Sequence, residues 1–373
     1  MRKGMKITLI VAGALIAVGV VVFAAALAFG ASWEGLRSRL NNGVTIGGYE
    51  TEHWLDLDNG YAPEGVYSTA VDGIRGIDVR WTSGQVTVSS YDGAEIRFTE
   101  SSPDRLTADT ALRWGIVDGT LVIQAFPRGS VGILPEKQLE VLVPKTMEGV
   151  IGDFDFSGGS AGLRVTDFFA DDAELDTASG RIAVENSVFP HLSVDTASGD
   201  VQITGSLGKT EVNTASGVIS VSNTGGETEL KVSTVSGSVK LSGAYSTLKV
   251  GTTSGDITGE SAQARSLDVD SVSGRVEFSG SFDSAEVGTT SGDVQLRTDS
   301  CPEELEIETV SGSVQLTLPE SSEFRLETDT VSGELTCDFP MIYTGNGEYV
   351  AGSGKNEFSI ETTSGDIALR SKK

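Results

Sequence analysis

From about Leu175 onward one pattern recurs along the chain: apolar-x-apolar-x-Thr-x-Ser-Gly-x-apolar-x-apolar. Its glycines are Gly180, Gly199, Gly217, Gly237, Gly255, Gly274, Gly292, Gly312, Gly333 and Gly365, at spacings of 19, 18, 20, 18, 19, 18, 20, 21 and 32. Self-similarity near a fixed period is the mark of a repeat architecture, in which each copy buries its apolar face against its neighbours. The best-formed corners are Thr196, Ser198 and Gly199; Thr214, Ser216 and Gly217; Thr234, Ser236 and Gly237; Thr252, Ser254 and Gly255; Ser273 and Gly274; Thr289, Ser291 and Gly292; and Thr309, Ser311 and Gly312. Ser precedes Gly in all ten copies, and Ser271 stands in the Thr position before Gly274.

Within each copy apolar and polar residues alternate, as in Leu248-Lys249-Val250-Gly251-Thr252 and Leu267-Asp268-Val269-Asp270-Ser271. A period of two indicates strands. Two all-β architectures fit. In a single-stranded parallel β-solenoid each copy is one coil near 19 residues, Ser-Gly turns a corner, and equivalent residues stack about 4.8 Å apart. In an antiparallel meander Ser-Gly would be the tip of a hairpin. Like side chains at like positions favour the solenoid, with internal Thr and Ser rows bonded along the stack. Ten or more such coils would rise on the order of 48 Å. The pattern reaches back weakly to Ile77–Val88, with Trp81 in the Thr position, and to Leu121, Ile123 and Leu139–Val143. All four Trp (Trp33, Trp54, Trp81, Trp114) precede the regular coils, as a differently built starting cap requires. The expected divisions are a basic tail over 1–6, a transmembrane anchor over 7–30, a linker or stalk over 31–70, irregular cap coils over 71–170 and regular coils over 171–370. The long gap before Gly365 reads as a loop or closing flap.

Ile77–Val88, the step Tyr91-Asp92-Gly93, the step Asp118-Gly119-Thr120-Leu121 and the Thr-x-Ser-Gly-Asp-Ile/Val coils together resemble the bacterial adhesin-like, or toastrack, family of β-strand-repeat envelope proteins. The resemblance spans about residues 71–370. It implies a right-handed β-helix-like domain outside a membrane helix, in proteins associated with cell-envelope stress systems, and brings no catalytic residues with it.

Arg2, Lys3 and Lys6 precede an uncharged apolar run from Ile7 to Gly30. As a helix this run would extend about 36 Å, enough for a hydrocarbon core of roughly 30 Å. The basic flank places the remainder outside the cytoplasm. A cleaved signal peptide ending near Ala26-Leu27-Ala28 is the competing reading. The net charge is -26, and loss of the three basic residues leaves the exterior part at -26 - 3 = -29. Such a chain lacks the Lys/Arg excess that nucleic acid demands.

Two His and two Cys leave little material for a zinc site, and no cofactor is implied. Gly158-Gly159-Ser160-Ala161-Gly162 matches a nucleophile elbow in letters, but β-type sequence follows it where a helix is needed. His53 and His191 read as surface residues. The position six before each glycine carries Asp268, Glu286, Glu306 and Glu327 in four copies successive in sequence, with Asp270, Glu308 and Asp329 two residues on. Stacked carboxylates repel, so these are candidates for a weak divalent-cation patch, set against a plain solvated acidic face. Turn chemistry accounts for Asp200, Asp256, Asp293 and Asp366 after their glycines. An ice-binding array would need outward Thr in adjacent coils, and Thr253, Thr290 and Thr363 do not provide it. Cys337 takes an inward position, and a bond to Cys301 is left open.

These residues lead to a non-catalytic, membrane-anchored extracytoplasmic binding or sensing module of the envelope stress response, partnered by membrane regulators or sensors. The alternative is a surface adhesin or rod contacting cell-wall glycan or other cells. A polysaccharide-active enzyme using Glu286 or Glu306 is a distant third.

Overall fold

The computed structural model describes residues 54–372 apart from Asp58, Pro63, Gly129 and residues 131–135. The apolar run Ile7–Gly30, Trp33 and His53 lie outside them. Among the described residues no helix is long and apolar enough to cross a membrane, and the helical content is one short turn, Lys145–Met147. Everything else regular is strand. The chain divides after Gly217 into two compact units.

In residues 54–217 the Ser-Gly corners join strands that do not pair with each other. Before the corner, Asp172–Thr177 lies parallel between Asp153–Gly158 and residues 191–196. After it, residues 182–185 lie parallel between Gly162–Thr166 and residues 201–204. A hairpin would pair the two arms of one corner antiparallel, so the corners are those of stacked coils. The alternation points Leu175, Ile182, Val184 and Val194 into a core where none is measurably exposed.

The start of this unit departs from sequence order. Gly76–Trp81 pairs with Asp153–Gly158 on one side and with Thr120–Gln124 on the other. Gly84–Tyr91 likewise lies between Gly162–Thr166 and Lys137–Pro144. The first coil is therefore second in the stack, and Thr120–Gln124 with Lys137–Pro144 form the arms of the outer one. That coil is closed by antiparallel strands: Arg113–Val117 and then Asn59–Gly60 beyond one arm, Glu95–Ser101 and then Val66–Ala70 beyond the other. Trp54 and Trp81 are buried here, and Phe98 packs between Tyr67 and Trp114 with ring centroids 5.3 Å from each. Val66–Ala70, which falls within the expected linker, is a strand of this closing layer.

Residues 218–372 repeat the arrangement at the other terminus. Glu304–Ser311 pairs in parallel with Asn356–Ser364, which pairs in turn with Phe324–Ser332. The arms after the corner agree: Val314–Pro319, Ile367–Lys372, then Leu335–Cys337. The last coil in sequence is inserted beneath the one that precedes it. The segment read as a loop or flap contains the hairpin Met341–Gly345 and Glu348–Ala351, which covers residues 324–327.

Close approach of backbones explains the invariant glycine. A Cβ on Gly199 would lie 1.9 Å from the Gly180 carbonyl oxygen, and one on Gly292 2.0 Å from that of Gly274. Gly365 meets Gly312, and Gly333 meets Gly365, each at 2.0 Å, so the glycine column itself records the inserted coil.

The hydroxyl rows differ from expectation. Thr177, Thr196, Thr214, Thr234, Thr252, Thr289, Thr309 and Thr362 are buried as expected, but Ser179, Ser198, Ser236, Ser254, Ser291 and Ser311 are exposed. The strict alternation of a strand ends where the chain bends, so the residue two beyond Thr swings out of the core. Ser273 Oγ instead donates to the Thr253 carbonyl of the coil below at 3.3 Å. Nor do the Thr hydroxyls bond to one another. Thr177, Thr196 and Thr234 accept the N–H of the glycine three residues on, at 3.1, 2.9 and 2.9 Å. Thr252, Ser271, Thr289, Thr309 and Thr362 have buried hydroxyl oxygens with no hydrogen-bond partner among the described residues.

Candidate binding surface

The acidic residues singled out by position stand on the outward face of the strands before the corner, within residues 218–372. Their inward neighbours Leu267, Val269, Val287, Leu305 and Ile307 are buried and fix the register. One outward row runs Lys249, Asp268, Glu286, Glu306, Ser359, Glu327. The next runs Gly251, Asp270, Gly288, Glu308, Glu361, Asp329. Glu327 therefore does not follow Glu306: the inserted coil puts Ser359 between them, and the four carboxylates are not one ladder. Glu361, missed by the sequence reading, joins Glu308 to Asp329. It sits four before Gly365, as Asp270, Glu308 and Asp329 sit four before their glycines, so the same position rule finds it once the last coil is counted as a coil.

Carboxylates at strand spacing raise each other's cost of ionisation, and partial burial adds to it. Burial first, then Asp268, pushes the Asp270 carboxyl above its ordinary range. Burial, Asp268 and Glu306 do the same to Glu286. Burial, Glu306 and Glu361 raise Glu308. Lys249 relieves one end: its ammonium meets Asp268 at 2.7 Å and is itself pushed up by that contact. Repulsion between exposed charges one strand apart amounts to about 1 kcal/mol or less, while each fully buried Leu or Val beneath contributes about 1.5–3 kcal/mol. The core therefore holds the charges in place against their repulsion.

Among the described residues no three His, Cys, Asp or Glu side chains converge as metal ligands. Asp268, Glu286, Glu306 and Glu327 thus form part of an extended face, with charge spread along rows rather than drawn into a cage. Ser160 lies at a corner, its N–H donating to the Thr82 carbonyl at 2.8 Å, and the strand Gly162–Thr166 follows where a nucleophile elbow needs a helix. His191 is exposed in Ile182–Thr196. Cys301 and Cys337 are free thiols. Cys337 lies 3.6 Å from the Met341 sulfur, and Cys301 accepts from Asn356 Nδ2 at 3.1 Å.

A second charged group, in residues 54–217, faces inward. The Lys137 ammonium lies 2.5 Å from Glu100 Oε1, with both side chains essentially unexposed. It also donates to the carbonyls of Thr110, at 2.9 Å, and Ala125, and lies 3.8 Å from the Phe126 ring centroid. Both Glu100 oxygens accept the Leu112 N–H at 3.1 Å. Burial lowers the Lys137 pKa to about 8, against the raising effect of Glu100. The alternations Ile96-Phe98-Glu100 and Lys137-Leu139-Val141 already point one acid and one base inward, a signal the sequence reading passed over. With its partners close to saturated, this pair is a piece of the closing layer.

The chain matches the Toastrack DUF4097 family over residues 74–247 and 244–370. It is a toastrack-family protein. Among solved structures, this toastrack chain resembles a candidate cell adhesion protein from Clostridium sporogenes at 12% identity, covering 84% of this chain and 99% of that one, with a TM-score of 0.21. A candidate lipid binding protein from Parabacteroides distasonis is similar at 15% identity over 70% of this chain and 98% of that one, with a TM-score of 0.37. A candidate adhesin from Bacteroides fragilis is similar at 14% identity over 70% and 97%, with a TM-score of 0.31. No curated protein matches the toastrack chain by sequence.

Proposed function

We propose that this toastrack protein is a non-catalytic binding or sensing module of the cell-envelope stress response, anchored by Ile7–Gly30 and displayed outside the cytoplasm. The observation that carries the reading is the outward acidic face formed by Asp268, Glu286 and Glu306 beside Asp270, Glu308, Glu361 and Asp329. Such a face, spaced by the strands and backed by a rigid core, suits a partner with a cationic extracytoplasmic segment: complementary potential speeds encounter and fixes register. A membrane regulator or sensor with a basic exterior loop meets that requirement.

The test is crosslinking and recovery of the full-length protein from its own membranes, with mass spectrometry of what accompanies it. A membrane regulator or sensor should be enriched, less at high salt and less for the double variant Glu286→Lys, Glu306→Lys. Recovery of wall glycan alone would overturn this reading in favour of a surface adhesin. So would glycan turnover lost in Glu286→Gln, in favour of an enzyme.

A further inference from the structure

The hairpin that covers the outer coil of residues 218–372 leaves an edge of its own. Met341–Gly345 pairs antiparallel with Glu348–Ala351, and those residues pair with 324–327. Among the described residues the other edge of Met341–Gly345 carries no ladder. The strand Met-Ile-Tyr-Thr-Gly has no charge in a chain of net charge -26. Ile342 is 73% exposed and Tyr343 59%, with Val331 at 59% the highest values for large apolar side chains among the described residues. The Tyr343 ring rests against Tyr349 at 5.0 Å. A free, uncharged, apolar edge is the kind of strand that soluble proteins ordinarily blunt with Lys or Pro.

We propose that Met341–Gly345 docks a second copy of the chain by antiparallel edge pairing about a two-fold axis at Tyr343. Charge selects this occupant. Two copies repel over most of their acidic surface, and they can meet only where the local field is weak. The acids that flank the strand are neutralised at home, Asp338 by Arg370 at 3.2 Å and Glu348 by Arg325 at 2.8 Å. With a basic partner on each flanking acid, this edge offers a cationic segment less than the acidic rows do. Symmetry supplies the rest, since an antiparallel strand is its own complement and an isologous contact closes at two copies. Tyr343 then faces its counterpart, and Ile342 faces Thr344. The inference rests on reading the chain as a binding module and names a second copy as one of its partners.

The test uses the full chain in the membranes of cells that produce it, with Cys301 and Cys337 replaced by Ser. Directly opposed strand residues lie about 4.5–5.5 Å apart at Cα, within reach of a disulfide. Mild oxidation of Tyr343→Cys should give a reducible dimer. Ser291→Cys, exposed at a corner between stacked coils rather than on a free edge, should not. Adding Ile342→Lys should cut the dimer yield about tenfold or more, as a charge on an edge does. No dimer from Tyr343→Cys, equal yield from Ser291→Cys, or indifference to Ile342→Lys would each overturn the proposal. Because the readout involves no envelope partner, its failure leaves the membrane-recovery experiment untouched, and the reverse holds.

Discussion

At the scale of single residues, the glycine column separates backbone contact from backbone freedom. Gly292 has no positive φ, yet its missing Cβ would collide with the Gly274 carbonyl at 2.0 Å. Backbone atoms of a packed coil cannot yield as a side chain can. Gly292→Ala should therefore cost about 3 kcal/mol, the upper range for forced overpacking, and lower the melting temperature by about 6–12 °C. Gly251 is the control: it lies in the same kind of strand with nothing within 4 Å of its Cβ position. Gly251→Ala should be neutral or stabilise by about 0.4–1 kcal/mol, because it narrows the unfolded chain without touching a neighbour. Thermal denaturation of the two variants side by side reads the difference, and equal melting temperatures would contradict the stacked corner. The hydroxyls beside these glycines carry a related lesson. Thr196 has a use for its oxygen in the Gly199 N–H, whereas Thr289 has none among the described residues. The same residue type at the same repeat position thus serves two local roles.

At the scale of strands and coils, sequence order and stacking order part company at the ends. Asn356–Ser364 is wedged between Glu304–Ser311 and Phe324–Ser332, and Phe358 stacks on Phe324 with centroids 4.9 Å apart. Deleting residues 354–373 should therefore do more than remove a final coil. It leaves Phe324, Leu326 and Leu316, all buried in the intact unit, without the layer between them. Amide exchange should show loss of protection across residues 324–351 and retained protection across residues 228–298. Continued protection of residues 324–337 after the deletion would place that coil directly on Glu304–Ser311. The glycine spacing, the alternation and the corners were legible in the sequence because each is local to about twelve residues. The order of coils was not, since the arms of one coil can pair with those of any other. The spacing of 32 before Gly365 registered the detour without showing that it ends in an inserted strand. The acidic rows were legible for the same reason as the corners, through fixed offsets from each glycine. Their continuity was not, because neighbours across a ladder depend on coil order, and Ser359 rather than Glu327 follows Glu306.

At the scale of the molecule, a net charge of -26 makes titration a global lever on stability. Asp270, Glu286 and Glu308 all have carboxyls raised by burial and by neighbouring acids, and Asp195 in residues 54–217 is raised by burial and by Glu211. A group whose pKa is higher in the folded chain than in the unfolded one binds its proton first when folded. Its stabilising contribution is complete below the unfolded value and is lost as pH rises through the folded one. The melting temperature should accordingly rise as pH falls into the range where these raised carboxyls take up their protons, where most proteins with salt-bridged carboxylates hold level or decline. Half-molar salt should flatten the rise by screening the exposed rows. Lys137 acts at the other end of the scale. Its pKa of about 8 lies below the unfolded value of 10.5, so between those limits the unfolded chain holds the extra proton and stability gains as pH rises. Calorimetric scans should thus trace a minimum between the titration of the raised carboxyls and that of Lys137. In Glu286→Gln the acid limb should be shallower, and a limb unchanged by that variant or by salt would remove the acidic face as its source.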